Sequence, residues 1–159
     1  MAVMNTFNYS KPKSFVRMDL GAQSMHARNA ANARPDSVTA GKMDQYLESK
    51  ILAAKPEELT FMLYEGMVRF IKKAMLSLEQ LNYERTNEFT KRAQDILSEL
   101  RSTLNMDIPL SRDLDILYEY TEFTLFEANI EKNLEKYSTA LEMAEEFKQT
   151  WQQAFGLSG

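Results

Sequence analysis

Cysteine is absent from the chain, which excludes disulfide bonds, thiolate metal sites and a cysteine nucleophile. There is one histidine, His26, and it lies in the N-terminal part, where it is expected to be solvated. The Glu-x-x-His pattern of di-iron helical bundles does not occur. Glycine-rich phosphate loops and a G-x-S-x-G motif are also missing. We therefore expect no enzyme activity, no metal and no cofactor.

Long apolar runs are missing as well. No run approaches the roughly 20 residues that a membrane-spanning helix needs. The first residues mix polar, basic and apolar side chains, so they lack the continuous apolar core of a secretion signal. These absences predict a cytoplasmic protein that does not insert into a membrane.

Charge is distributed unevenly along the 159 residues, whose net charge is −4. Residues 1–41 carry five Lys/Arg and two Asp, or +3, whereas the remainder carries 14 Lys/Arg and 21 Asp/Glu, or −7. An acidic body lacks the clustered cations that nucleic-acid binding requires, so no nucleic-acid partner is expected. The basic arm is expected to contact acidic surfaces, including those of its own body.

The composition divides the chain into residues 1–41 and residues 42–159. The first part is rich in Asn, Ser, Ala, Lys and Arg and has few large aliphatic residues. Such a segment cannot offset its own ordering entropy, so it is predicted to be a flexible arm. This part also contains four residues that interrupt regular secondary structure: Pro12, Gly21, Pro35 and Gly41. Helix formers dominate after it, which predicts one domain over residues 42–159.

Four long segments of this domain have apolar residues at helical spacing. They are predicted to cover residues 56–82, 83–104, 112–132 and 134–155, with Ser111 as the N-cap that precedes the third. Short connections favour antiparallel neighbours. The predicted fold class is all-α: an antiparallel up-down four-helix bundle, preceded by the flexible arm and a short N-terminal cap segment around residues 43–52.

The first and third predicted helices have more apolar residues than a shared core requires. A bundle helix needs one apolar stripe a little over 100° wide. Each of these two helices has a second line of apolar residues beside that stripe. The second lines include Phe61, Tyr64, Val68 and Ile71 on the first helix, and Ile116, Tyr120, Phe123 and Ile130 on the third.

Two interpretations of the second lines are open. Either both helices are central and the other helices cover them, or part of this surface forms a groove for another amphipathic segment. If a groove exists, Val68→Asp is expected to weaken partner binding more than it destabilises the fold. Gly66, inside the first helix, costs up to about 1 kcal/mol relative to alanine. It is predicted to let a neighbouring group approach closely.

Five blocks of this sequence are similar, in the same order, to blocks of a known protein family. They are KPEELTFMLYEGMVRFIKKA, RAQDILSELRSTLN, LYEY, EANIEKN and EEFKQTWQQA. Over residues 43–155 they resemble, in order and spacing, the FliS family of flagellar export chaperones. The resemblance implies a cytoplasmic four-helix bundle that binds the disordered C-terminal segment of flagellin in apolar grooves. It implies that this binding prevents premature polymerisation and keeps flagellin competent for flagellar type III export, without a cofactor.

The resemblance also implies particular binding residues. The family has an aliphatic residue three positions before a tyrosine in its cap segment, and Met43 and Tyr46 occupy these places. Asn129 matches the last residue of the family's QAN motif. A pair of arginines typical of the family's third helix is replaced by Phe123 and Thr124, which makes this surface more apolar. The predicted partner-binding residues are Met43, Tyr46, Phe61, Tyr64, Val68, Ile71, Ile116, Tyr120, Phe123 and Asn129.

Two functions from different classes follow. The first is a chaperone, a monomer or weak homodimer, whose partners are flagellin and, as further candidates, the flagellar export gate and other flagellar proteins. The second is a helical structural protein whose extra apolar stripes serve homo-oligomerisation. Size-exclusion chromatography with and without a flagellin C-terminal peptide separates them, since only the chaperone forms a complex with the peptide.

Overall fold

The computed structural model describes residues 37–157, with the side chains of residues 41, 42 and 44–157. This part of the chain forms five α-helices and no strand, which confirms the all-α fold class. The helices are α1 (Ser37–Ala53), α2 (Pro56–Glu79), α3 (Tyr83–Ser102), α4 (Pro109–Glu131) and α5 (Leu134–Phe155).

The four longest helices form the bundle. Both α2 and α4 pack against α3 and α5, so the α2–α5 side lies opposite the α3–α4 side. Contacts between helix ends show the antiparallel order. Lys132, after α4, bonds Asn87 near the start of α3, and Trp151 near the end of α5 bonds the carbonyl of Glu57 at the start of α2.

α1 starts earlier than the predicted cap segment. It begins at Ser37, so residues 37–41 of the predicted arm are helical, and the helix continues through Gly41. A helical glycine costs only up to about 1 kcal/mol, which the rest of the helix can offset. Residues 1–36 lie outside the described residues, so the flexibility of the arm stays a prediction.

Local signals set the ends of the bundle helices. α2 and α4 each begin with a proline, whose fixed φ suits the first turn. The side chain of Asn82 accepts a hydrogen bond from the N–H of Arg85, and Asn133 caps α5 in the same way. The predicted N-cap role of Ser111 is wrong. The helix begins two residues earlier, at Pro109, and Ser111 is fully buried within its first turn.

α2 is buried on both of its apolar stripes. Leu59, Leu63 and Met67 have no exposed surface, and the second line is equally covered. The exposed fractions in that line are 5% for Phe61, 1% for Tyr64, 6% for Val68 and 0% for Ile71. The prediction that these four residues line an open groove is therefore wrong. They belong to the core, because α2 packs more extensively than α4 against α3 and α5.

The core also contains paired hydroxyl groups. The hydroxyl oxygens of Tyr64 and Tyr118 lie 2.5 Å apart, and those of Thr90 and Tyr137 lie 2.7 Å apart. Tyr64 stacks against Phe147 with 5.9 Å between ring centroids. Each buried phenol thus has the hydrogen-bond partner that it would otherwise find in water. Burial raises the pKa of both Tyr64 and Tyr118 above the ordinary value of 10.0.

Tyr118→Phe is expected to lower the free energy of unfolding by about 1–3 kcal/mol, because the Tyr64 hydroxyl loses its buried partner. The variant should also change the alkaline pH dependence. Since the folded-state pKa is raised, the stability from each phenol is present below pH 10 and is lost as the pH rises above it. Urea unfolding between pH 7 and pH 11 should show a shallower alkaline decline for the variant.

Tyr120→Phe, on the same helix, is the matched control. Tyr120 is 54% exposed, so removing its hydroxyl should leave the free energy of unfolding at pH 7 unchanged. Identical pH profiles for Tyr118→Phe and the parent protein would contradict the assignment.

Candidate functional site

α4 is apolar on two opposite sides. One side faces the core, where Tyr118, Leu125 and Ala128 have no exposed surface. The other side faces solvent and holds five large apolar residues that are each more than half exposed. These are Ile116 (63%), Tyr120 (54%), Phe123 (56%), Phe126 (52%) and Ile130 (66%). We call these five residues the α4 face.

The α4 face is a continuous stripe. Its residues follow Ile116 at intervals of three or four, which places them one above the other on a helix. Contiguous exposed apolar surface of this kind marks binding sites in soluble proteins. The second apolar line of the third predicted helix is thus exposed, in contrast to that of α2.

A groove lies between the α4 face and α3. Its volume is about 780 Å³. The α3 wall has Gln94 and Arg101, and the α4 wall includes four of the five residues of the α4 face. The α4 lining residues are Ile116, Glu119, Tyr120, Glu122, Phe123 and Phe126. The exposed stripe and the groove therefore form one surface.

Ion pairs from Arg101 join the two walls. Its Nε lies 2.7 Å from Oδ1 of Asp115, and its Nη1 lies 3.2 Å from Oε2 of Glu122. Its Nη2 lies 4.0 Å from Oε2 of Glu119. The hydrogen bond with Asp115 is the main cause that raises the pKa of Arg101. One guanidinium faces three carboxylates, so this rim of the groove has a net negative charge.

The side chain of Asn129 makes hydrogen bonds inside the bundle. Its Oδ1 accepts hydrogen bonds from Nζ of Lys132, at 2.5 Å, and from the hydroxyl of Tyr137, at 3.3 Å. Lys132 ends α4 with a left-handed φ of 51°, and its ammonium also bonds Asn87. Burial lowers the pKa of this ammonium. These contacts fix the α4–α5 turn and leave Asn129 outside the groove lining.

The two predicted residues of the cap segment lie on α1. Tyr46 is 69% exposed, while Ile51 near the end of α1 and Ala54 just after α1 are buried in the core. The side chain of Met43 lies outside the described residues. Tyr46 does not line the α3–α4 groove.

The structure therefore brings together three of the ten predicted site residues, Ile116, Tyr120 and Phe123. Phe126 was missed, although its position three residues after Phe123 places it on the same stripe. Gln94 and Arg101 were also missed, and no local sequence signal marks them, because they reach the groove from another helix.

Membrane-spanning helices and clusters of metal-binding side chains are both absent from residues 37–157. None of the helices there has the length and apolar character needed to cross a membrane. Over the same residues, no group of three or more acidic or histidine side chains is arranged to hold a metal ion.

Comparison with known proteins identifies the family. The chain matches the family described as "Flagellar protein FliS" over residues 39–157. It is 36% identical over 109 residues to the "Flagellar secretion chaperone FliS" of Bacillus subtilis (strain 168), a match that covers 69% of this chain and 82% of that protein. The protein of the same name from Vibrio cholerae is 27% identical over 109 residues, covering 67% of this chain and 80% of the relative.

A third relative with this name, from Campylobacter jejuni, is 26% identical over 110 residues and is covered to 86% of its length. The family match extends over most of the chain and over all four bundle helices. The chain therefore belongs to the FliS family of flagellar secretion chaperones.

Proposed function

We propose that this protein binds the disordered C-terminal segment of flagellin in the cytoplasm. Binding prevents premature polymerisation of flagellin and keeps it competent for flagellar type III export. The observation that carries the proposal is the α4 face, a stripe of five large apolar side chains that are each more than half exposed beside a groove. Family membership supports a flagellar client, since the relatives are named flagellar secretion chaperones.

The α4 face suits an amphipathic client segment. A helix laid along it would present residues at i, i+3, i+4 and i+7 to Ile116, Tyr120 and Phe123. Burial of three or four large side chains is worth on the order of 5 kcal/mol before the cost of ordering the client. Such binding is reversible, as release to the export machinery requires.

The charged rim adds selectivity. Asp115, Glu119 and Glu122 share the single Arg101 guanidinium, so the rim favours a client with Lys or Arg beside its apolar anchors. The protein acts by binding alone. This agrees with the expectation that the chain is not an enzyme, because the relatives are named as chaperones.

Calorimetric titration of the full chain with flagellin tests this function. Intact flagellin is expected to form a 1:1 complex with a negative heat-capacity change, because apolar surface is buried. Flagellin that lacks its C-terminal segment is the matched control and should not bind. Equal binding of both flagellins would refute the proposal. A stable oligomer that ignores flagellin in size-exclusion chromatography would favour homo-oligomerisation through the α4 face.

A further inference from the structure

The α4 face lacks a covering element among the described residues, and a long part of the chain lies outside them. Residues 1–36 precede α1, and the match to the FliS family starts only at residue 39. Thirty-six residues can extend over roughly 120 Å, since each adds at most about 3.3–3.6 Å. This is several times the length of α4, which at about 1.5 Å per residue is roughly 35 Å long. The segment can therefore reach any side of the bundle.

The charges of this segment and of the groove are complementary. Residues 1–36 contain five Lys/Arg and two Asp, whereas the rim of the groove has three carboxylates around one guanidinium. Opposite charges within a Debye length of about 8 Å attract each other at physiological salt. The exposed Leu76 of α2 is less suitable, because Lys72 and Lys73 precede it by one turn.

Residues 7–20 also have the apolar side chains that the groove would accept. This stretch interleaves large apolar residues with three cations and one anion, Asp19. The apolar residues are Phe7, Tyr9, Phe15, Val16, Met18 and Leu20, and the cations are Lys11, Lys13 and Arg17. Aromatic anchors flanked by cations match an apolar groove with an acidic rim.

We propose that residues 7–20 of this chain bind in the α3–α4 groove and compete there with the client. The competition rests on the function proposed above, but the binding of the segment to the groove does not. A tethered segment acts at an effective concentration of about 1 mM, so even an intrinsic dissociation constant of about 0.1 mM fills the groove in roughly 90% of molecules. The apparent client affinity then falls about tenfold.

The absence of cysteine allows a direct test in the full chain. In the S14C/Q94C variant, one cysteine lies in the segment and the other in the groove wall. Mild oxidation is expected to give an intramolecular disulfide in most molecules. Adding Phe123→Asp should slow this reaction about tenfold, because the apolar groove is lost as a binding site.

The S14C/E145C variant is the matched control. Glu145 pairs with Lys72 of α2 at 3.5 Å, so it lies on the side of the bundle opposite the groove. Its disulfide should form about tenfold more slowly than that of S14C/Q94C. Equal rates for the two pairs would overturn the proposal. Disulfide-linked dimers in place of intramolecular bonds would also overturn it, because the occupant would then be a second copy of the chain.

A titration separates this inference from the proposed function. The combined variant Lys11→Glu, Lys13→Glu and Arg17→Glu should bind the flagellin C-terminal segment about tenfold more tightly than the parent chain. Equal affinities would overturn the competition. If flagellin binds neither protein, the proposed function fails, and the disulfide rates alone decide whether the segment occupies the groove.

Discussion

Phe123→Asp is expected to weaken binding of the flagellin C-terminal segment about 100-fold and to leave the bundle folded. Phe123 is 56% exposed on the α4 face and lines the groove, so it is placed to act as a central anchor. Loss of such an aromatic anchor costs about 2–4 kcal/mol of binding free energy, and each 1.4 kcal/mol corresponds to about a factor of ten. The new carboxylate would also repel Glu119 and Glu122. Calorimetric titration measures the affinity.

Leu76→Asp provides the matched control for this variant. Leu76 is 55% exposed, nearly the same as Phe123, but it lies on α2 and outside the groove lining. Both variants should keep the parent's thermal midpoint, because substitutions of exposed residues usually change stability by less than about 0.5 kcal/mol. Leu76→Asp should keep the parent's affinity for flagellin as well. Equal losses of affinity in the two variants would show that the α4 face is not the binding site.

Val68→Asp is expected to have the opposite effect and to destabilise the fold. The valine is 6% exposed within the core, so the substitution removes about 2 kcal/mol of apolar burial. It also places a carboxylate in the apolar core, and taking that charge out of water costs several kcal/mol more. A total near 5 kcal/mol is comparable to the whole stability of a small domain. Thermal unfolding by circular dichroism should show a midpoint about 20 °C lower, or no cooperative transition.

Val68→Ala gives an intermediate case. It removes two methyl groups without adding charge, so a loss of about 2 kcal/mol is expected. If Val68→Asp unfolded at the parent's temperature and lost only flagellin affinity, the side chain would be a surface residue. The burial of the second line of α2 would then be refuted.

Helix ends were predictable where local chemistry decides them. The range predicted for the last helix, 134–155, agrees with α5, because Asn133 caps its start and Gly156 ends it with a φ of 62°. The start of α2 at Pro56 follows from the fixed φ of proline in the same way. The start of α4 was missed because serine is a common N-cap but here lies inside the first turn. Ser111 and Pro109 predict different starts for α4, and the helix begins at the proline.

Burial of the second apolar lines was not predictable from the sequence. The lines on α2 and α4 have the same periodicity and similar residues, yet Ile71 is fully buried and Ile116 is 63% exposed. The difference arises from how closely each helix packs against α3 and α5, which no single helix encodes. The ion pairs of Arg101 depend on the same packing, since its partners lie on another helix.

Trp151 is the single tryptophan of the chain and is a built-in fluorophore. Its indole N–H donates to the carbonyl of Glu57 at 2.8 Å, and its ring packs edge-on to Tyr64. This places it on the α2–α5 side, away from the α3–α4 groove. The fluorescence emission of the indole therefore reports whether the bundle is folded, and a client bound in the groove does not quench it directly. One titration can thus record folding by the tryptophan emission and client binding by the emission of a separate dye on the client.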